Sequence, residues 1–326
     1  MSNLFVRKLQ LVSDSEEIGF VMGQKRTCYN GVYPFKIFPR KELSSVTFAP
    51  VTILYGGNGS GKTTLLNILA EKLSLTRHSP FSGSAFFEDY VSMCKADFSI
   101  IPLNSQILTS DDVSDYLLNL RSLNDGIDTR REELLAEYTR RKWEDRPFTS
   151  LADYDQWKES YDAKTRTSSK FVKARLTRNP DLFSNGETAM QYYTQRITEN
   201  ALYLIDEPEN SLSAAFQQEL AGFLADSARF FGCQLVIATH SPFLLSIPGA
   251  VVYDLDSLPV RTRPWTELEN VRTYYDFFKK HEIRNSRETG HKHRNADILT
   301  SAADILENCD KIILCHRVAH SNQQNS

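Results

Sequence analysis

Val51-Thr52-Ile53-Leu54-Tyr55-Gly56-Gly57-Asn58-Gly59-Ser60-Gly61-Lys62-Thr63-Thr64-Leu65-Leu66 is the stretch on which the fold turns. An apolar, β-branched run leads into G-G-N-G-S-G-K-T, and an apolar helical pattern follows through Leu65, Leu66, Ile68 and Leu69. The order predicts a strand, a phosphate-binding loop of the form G-x-x-x-x-G-K-[ST], and a helix from Gly61. Glycines let backbone N–H groups close on phosphate oxygens where a Cβ would stand in the way. The helix start aims its unpaired N–H groups at the same anion. Gly56, Asn58, Gly59, Ser60, Gly61, Lys62, Thr63 and Thr64 are therefore expected to hold a nucleoside triphosphate. Lys62 would reach its β- and γ-phosphates, and the Thr63 hydroxyl would be a ligand to Mg²⁺.

A second buried strand is expected at Ala201-Leu202-Tyr203-Leu204-Ile205, ending in Asp206-Glu207. An acid at that strand end can hold Mg²⁺ (Asp206), and its neighbour can polarise an attacking water (Glu207). A third strand, Gln234 to Ala238, runs into Thr239-His240-Ser241-Pro242. Ligands of open α/β sheets bind at the carboxyl ends of strands, so His240 is expected to face the γ-phosphate. Ser184-Asn185-Gly186-Glu187 precedes a helix expected over Thr188 to Ile197. On its own it reads as an N-cap, with anion binding as the alternative.

The remaining chain is ordinary in composition. It has 326 residues, a net charge of −3, 41% hydrophobic and 24% charged residues. That balance gives no global field toward nucleic acid or membrane, and no apolar run approaches the ~18 residues of a bilayer span. Five scattered cysteines without a C-x-x-C pair point to reduced thiols and a cytoplasmic protein. Cys309, Cys315, His316 and His320 lack the paired short spacing of a zinc site. His291-Lys292-His293 reads as a surface loop.

Near the N-terminus, strands are expected at Leu4-Phe5-Val6, Tyr33 to Phe38 and Val46-Thr47-Phe48, and a further one at Phe98 to Pro102. From Val113 to Arg178 glycine nearly vanishes and charges alternate in sign, which predicts helices with solvated faces and a break near Pro147. A long helix is expected from Ser211, with Leu212, Phe216, Leu220, Phe223, Leu224 and Phe231 on one side. Val251 to Leu255 is another strand. Apolar strands alternating with amphipathic helices indicate α/β, a P-loop core around a mostly parallel sheet. The division is 1–112 and 179–260 for that core, 113–178 for an inserted helical subdomain, and 261–326 for a C-terminal helical segment with a flexible tail. Tyr33 and Phe35 are read as core side chains, with stacking on adenine as the alternative. Lys164, Arg166, Lys170, Lys173, Arg175 and Arg178 form a local basic stretch. It reads as a solvated helix face, with an ATP-gated nucleic-acid contact as the alternative.

The set of motifs resembles the ATP-binding-cassette (ABC) ATPases, and the likeness spans about residues 45 to 256. The resemblance implies a glutamine loop at Gln106, a signature turn at Ser184 to Glu187, a D-loop at Asn210 to Ser213, and a switch histidine at His240. Gln106 is thereby implied as a nucleotide contact and metal ligand. Ser184, Asn185, Gly186 and Glu187 become nucleotide contacts from a second chain. The signature reads Phe-Ser-Asn-Gly-Glu where transporters have Leu-Ser-Gly-Gly-Gln, and Ser213 stands in place of the D-loop aspartate. Asp-Glu-Pro-Glu-Asn-Ser-Leu with Ala-Thr-His-Ser-Pro-Phe-Leu-Leu is similar to the stand-alone, non-transporter branch near the SMC, DNA-repair and overcoming-lysogenisation-defect ATPases. What this implies is an ATPase, with ATP and Mg²⁺, that forms a homodimer across the ATP sites. The dimer would drive or gate a protein partner or effector, in antiphage defence or DNA maintenance, with no membrane partner. The alternatives are the ATP-binding subunit of a transporter, and a non-hydrolysing scaffold for an effector nuclease or toxin.

Overall fold

The computed structural model describes residues 4–26, 28–29, 31–144, 154–180 and 184–288. Pro147, Phe183, the His291 to His293 run, Cys309, Cys315, His316, His320 and the terminal residues lie outside them. The described residues fall into two units, divided between Leu268 and Glu269.

In the first unit, β1 (Val6–Gln10) is followed by α1 (Asp14–Met22), β2 (Ser45–Thr47), β3 (Val51–Tyr55) and α2 (Lys62–Lys72). Then come α3 (Phe87–Met93), β4 (Lys95–Phe98), β5 (Gln106–Thr109) and α4 (Ser110–Trp143). After α5 (Tyr154–Thr165), α6 (Ser168–Lys173) and α7 (Asn185–Arg196), the chain returns through β6 (Leu202–Asp206), α8 (Ala214–Phe230) and β7 (Gln234–Thr239). It closes with α9 (Pro242–Leu245), β8 (Val251–Asp254) and β9 (Arg261–Thr262).

The central sheet has the order β5-β6-β7-β3-β8-β9. Its first five strands are parallel and β9 is antiparallel. β3, β6 and β7 are buried along their whole length, as continuous apolar runs must be when helices cover both faces. The register decides the function of this sheet. Thr109 lies opposite Asp206, Asp206 opposite Ala238, and Thr239 opposite Tyr55. The phosphate loop, the Asp206-Glu207 pair and His240 thus leave the sheet from neighbouring strand ends on one edge.

A smaller antiparallel sheet, β2-β1-β4, stands beside it. The buried Gln234 amide joins the two sheets: Val6 N–H donates to Gln234 Oε1 at 2.9 Å, and Gln234 Nε2 donates to the Val6 carbonyl at 2.7 Å. Both bonds are sheltered from water, so a side-chain amide replaces the ladder partner that β1 lacks there.

Several expected elements shift. The segment Tyr33 to Phe38 forms turns, not a strand, and enters a 3₁₀ turn at Pro39–Lys41. Pro34 brings no N–H to a ladder, and Lys36 has φ 69°, outside the β region. The strand expected at Phe98 to Pro102 lies earlier, at Lys95–Phe98, where it pairs with β1. Beyond it Ile100 and Leu103 are 91% and 99% exposed, so the apolar letters there do not mark core. The helix expected from Ser211 starts at Ala214, capped by the Ser213 side chain, after a 3₁₀ turn at Pro208–Ser211. Leu212, Leu220 and Leu224 are buried, whereas Phe231 is exposed at the helix end. β9 lies beyond residue 260 and still belongs to the central sheet.

The inserted segment is helical. α4 runs 34 residues from a capping box made by Thr109 and Asp112. It packs with α5 and α6 around a small core of its own: Leu134, Tyr138, Ala163, Phe171 and Val172. In the second unit α10 (Glu269–Glu288) is described, with Tyr274, Phe277 and Phe278 exposed.

Candidate functional site

Gly61 caps α2 with φ 96°, and Gly59 has φ 78°. An L side chain at either position would be strained, and these two residues turn the loop back on itself toward the helix start. At Gly56 the reason for glycine is space: a Cβ would come within 2.6 Å of Ser60 Oγ. The loop encloses a pocket of about 320 Å³ lined by Tyr33, Ile37, Asn58 to Thr64 and Glu207. That is a volume in the range of small-ligand sites, which run from about 300 to 1,000 Å³. Tyr33 lines this pocket and its hydroxyl lies 3.0 Å from Thr64 Oγ1. Phe35 is instead buried and stacked on Phe20, which makes it core.

Lys62 is 4% exposed. Its ammonium donates to the Gly56 carbonyl at 2.6 Å and the Gly57 carbonyl at 3.1 Å, and lies 3.5 Å from Glu207 Oε1. A buried cation needs such acceptors. Thr63 Oγ1 donates to Asp206 Oδ1 at 3.1 Å, across 143 residues of sequence. Asp206 is buried, and burial pushes its carboxyl up to about 6 against the opposing Thr63 hydrogen bond. A carboxylate held back from ionising, beside a hydroxyl and at the mouth of a phosphate loop, is a donor set that suits a hard divalent cation.

Glu207 stands in the left-handed region, φ 46° and ψ 54°. Its N–H donates to the Ala238 carbonyl at 2.9 Å, and its Oε2 accepts from Asn210 Nδ2 at 3.2 Å. A non-glycine residue there costs roughly 1–3 kcal/mol and persists only where the surroundings hold it. The β7 strand end and the Asn210 amide do so here, and they aim the carboxylate back at the loop.

His240 follows β7 with its side chain 42% exposed. Its backbone N–H donates to Glu209 Oε1 at 2.8 Å, and its Nδ1 lies 3.3 Å from the same oxygen. Gln106 is placed differently from the loop position its motif implies. It is the first residue of β5, opposite Tyr203, with its amide donating to the Arg196 carbonyl at 3.1 Å. Three residues of strand, about 10 Å, separate it from the sheet edge carrying Asp206. The strand end itself belongs to Thr109.

Ser184 caps α7 in a reciprocal capping box with Glu187. That hydrogen bond holds the Glu187 carboxyl below its ordinary range. Asn185 Oδ1 accepts from Arg121 at 2.8 Å. A Cβ on Gly186 would fall 2.7 Å from the Phe216 ring, so glycine lets α7 approach α8. Ser184, Asn185 and Glu187 are exposed, and none of the signature residues lines the phosphate-loop pocket among the described residues.

Two site residues carry no local sequence signal. Asp256 accepts the Gly57 N–H at 2.7 Å and pins the first turn of the loop from 199 residues away. Glu209 reaches into the end of β7, where its Oε1 accepts from Thr239 Oγ1. In the basic stretch, Arg166 and Arg175 both pair with Asp162, which lowers the local excess of positive charge. No described helix is long and apolar enough to cross a membrane.

Residues 172–246 match a family described as "AAA domain, putative AbiEii toxin, Type IV TA system". The match covers α7, β6, α8 and β7, the half of the site that faces the phosphate loop. A search of curated proteins returns no match. Among solved structures, the chain is similar to the SMC head domain from Thermotoga maritima, at 13% identity, 79% of this chain, 98% of that one and a TM-score of 0.36. It is also similar to the dimeric bacterial ABC transporter cassette MJ0796, at 13% identity, 69% of this chain, 90% of that one and a TM-score of 0.33. A phosphate loop between β3 and α2, an Asp-Glu pair ending the second strand along, and the family match over the returning segment together give this chain the fold and motif set of a P-loop nucleotide-binding protein resembling the ABC type.

Proposed function

We propose that the chain binds ATP with Mg²⁺ and hydrolyses its terminal phosphoanhydride bond. The observation that carries this is the meeting of Lys62 and Thr63, at the start of α2, with Asp206 and Glu207, at the end of β6. Lys62 would exchange the Gly56 and Gly57 carbonyls for phosphate oxygens, a charge-assisted replacement for neutral acceptors. Thr63 and Asp206 would hold the Mg²⁺, whose charge offsets that of the phosphates when bound. Glu207 would orient a water and take its proton as the water oxygen bonds to the γ-phosphorus. The bond from that phosphorus to the β–γ bridging oxygen breaks, and ADP leaves. Asn58 and Gly59 are exposed at the loop tip and would donate backbone N–H groups.

The site is proposed to be completed by a second copy. Ser184 and Gly186 lie outside the pocket of their own chain, and an exposed capped helix start is suited to meet an anion presented from elsewhere. ATP would join two chains and its loss would part them. The inserted helices α4 to α6 would pass that change to a protein partner or effector. The description of the matched family, which names a toxin of a type IV toxin–antitoxin system, supports an effector as the thing controlled.

Thermal shift with MgATP and steady-state phosphate release test the core of this. The wild-type chain should be stabilised by MgATP and release phosphate, and Lys62→Ala should lose at least ~10-fold in ATP affinity, as expected when a buried charge-assisted contact is removed. Equal stabilisation of the two proteins would overturn the assignment of the loop. Size exclusion with ATP tests the second copy: a dimer is expected for the wild type, and a monomer for a variant with Ser184→Arg.

A further inference from the structure

We propose that Glu209 is a positioning residue for His240, a role that rests on the hydrolysis proposed above only for its kinetic consequence. Glu209 follows Glu207 by two residues, in the 3₁₀ turn that carries the chain away from β6. Its side chain is 5% exposed and crosses to the neighbouring strand end. There Oε1 accepts from Thr239 Oγ1 at 2.7 Å and from the His240 N–H at 2.8 Å, and lies 3.3 Å from His240 Nδ1. The hydroxyl of Thr239 also accepts the Ser241 N–H at 3.0 Å, and Ser241 Oγ donates to Gln217 Oε1 at 2.6 Å. One buried polar chain therefore ties the turn after Glu207, the end of β7 and the first turns of α8 and α9.

A strut between two strand ends does not require a charge; a glutamine would serve. What a carboxylate adds is that it only accepts. At 3.3 Å from Nδ1, an ionised carboxylate favours the proton on that nitrogen. Its other oxygen, Oε2, is buried with no hydrogen-bond partner among the described residues, so the donors gathered at Oε1 must offset the burial of the group. In its neutral form the His240 ring so placed carries N–H at Nδ1 and leaves Nε2 on the edge away from Glu209. Glu209 and Glu207 share one turn, so a shift of that turn moves the base and the histidine together.

The test is ¹⁵N NMR of the full chain labelled at histidine, with the His240 signals assigned by their loss in His240→Gln. The Nδ1–H tautomer is expected in the wild type, and a shift toward Nε2–H in Glu209→Gln, where the amide can donate. An Nε2–H ring in the wild type overturns the proposal, and so does a tautomer that Glu209→Gln leaves unchanged. If Glu209→Gln does not fold, the wild-type tautomer decides. In turnover, Glu209→Gln should lose about 10-fold with ATP affinity within about twofold, and should lose nothing further in a His240→Ala background. Equal losses in both backgrounds would mean that Glu209 does not act through His240, and would overturn the proposal. A chain that hydrolyses no ATP would overturn the ATPase proposal instead and leave the tautomer to decide Glu209.

Discussion

Glu207→Gln is expected to keep ATP binding and to cut phosphate release by about 10²-fold or more, the usual size of a lost general base. The substitution changes little besides the proton acceptor. Glutamine has the same length and can accept the Asn210 amide as Glu207 Oε2 does. The Glu207 N–H bond to the Ala238 carbonyl belongs to the backbone and survives. Lys62 loses an anion 3.5 Å away but keeps both loop carbonyls. Slowed turnover should also lengthen the life of the ATP-bound form, so the dimer expected with ATP should be easier to isolate from this variant than from the wild type. Single-turnover phosphate release, run beside equilibrium binding of a labelled ATP, separates the two effects. Turnover near the wild-type rate would remove Glu207 from the chemistry, and lost binding would make it part of the cradle.

The parts of this site that are legible in sequence are those whose chemistry is written in consecutive residues. Gly56 to Thr63 specifies its own loop because glycine positions, lysine and threonine lie on one turn. Leu202 to Asp206 and Gln234 to Thr239 announce themselves as buried strands by unbroken apolar runs, and their ends then place Asp206, Glu207 and His240. What is not legible is set by register. Gln106 fits a glutamine loop as a letter, yet the pairing of β5 with β6 puts it opposite Tyr203 and gives the strand end to Thr109. Glu209 reaches the end of another strand and Asp256 the phosphate loop, at separations of 30 and 199 residues. No local pattern marks such partners. The N-terminal strands were displaced for a simpler reason: apolar letters around Pro34 and Pro102 mimic strands, while a residue without an N–H cannot extend a ladder through the middle of a sheet.

Asp206→Asn should make the nucleotide-free protein more stable while removing its Mg²⁺-dependent stabilisation by ATP. The carboxyl of Asp206 is raised from 3.8 to about 6, first by burial and then by the nearby Glu207 charge, against the Thr63 hydrogen bond. A raised acid binds its proton more tightly in the folded chain than in the unfolded one. Stability from this group is thus fully present below about pH 4 and is lost as pH rises from there to about 6. The loss is on the order of 3 kcal/mol at neutral pH. Asparagine stays neutral throughout and can still accept from Thr63 Oγ1, so its advantage over aspartate should vanish at pH 4 and be full at pH 7.5. Chemical denaturation of both proteins at the two pH values, without nucleotide, measures this directly. Equal stability at pH 7.5 would mean that the ionised Asp206 is compensated in the folded chain by groups other than Thr63 and Lys62. With MgATP the order should reverse, because Thr63 alone cannot hold the cation and the wild type gains the free energy of binding. A site that holds a carboxylate at a cost when empty is one kept for its ligand rather than for the fold, and the crossing of the two stability orders is the measurement that shows it.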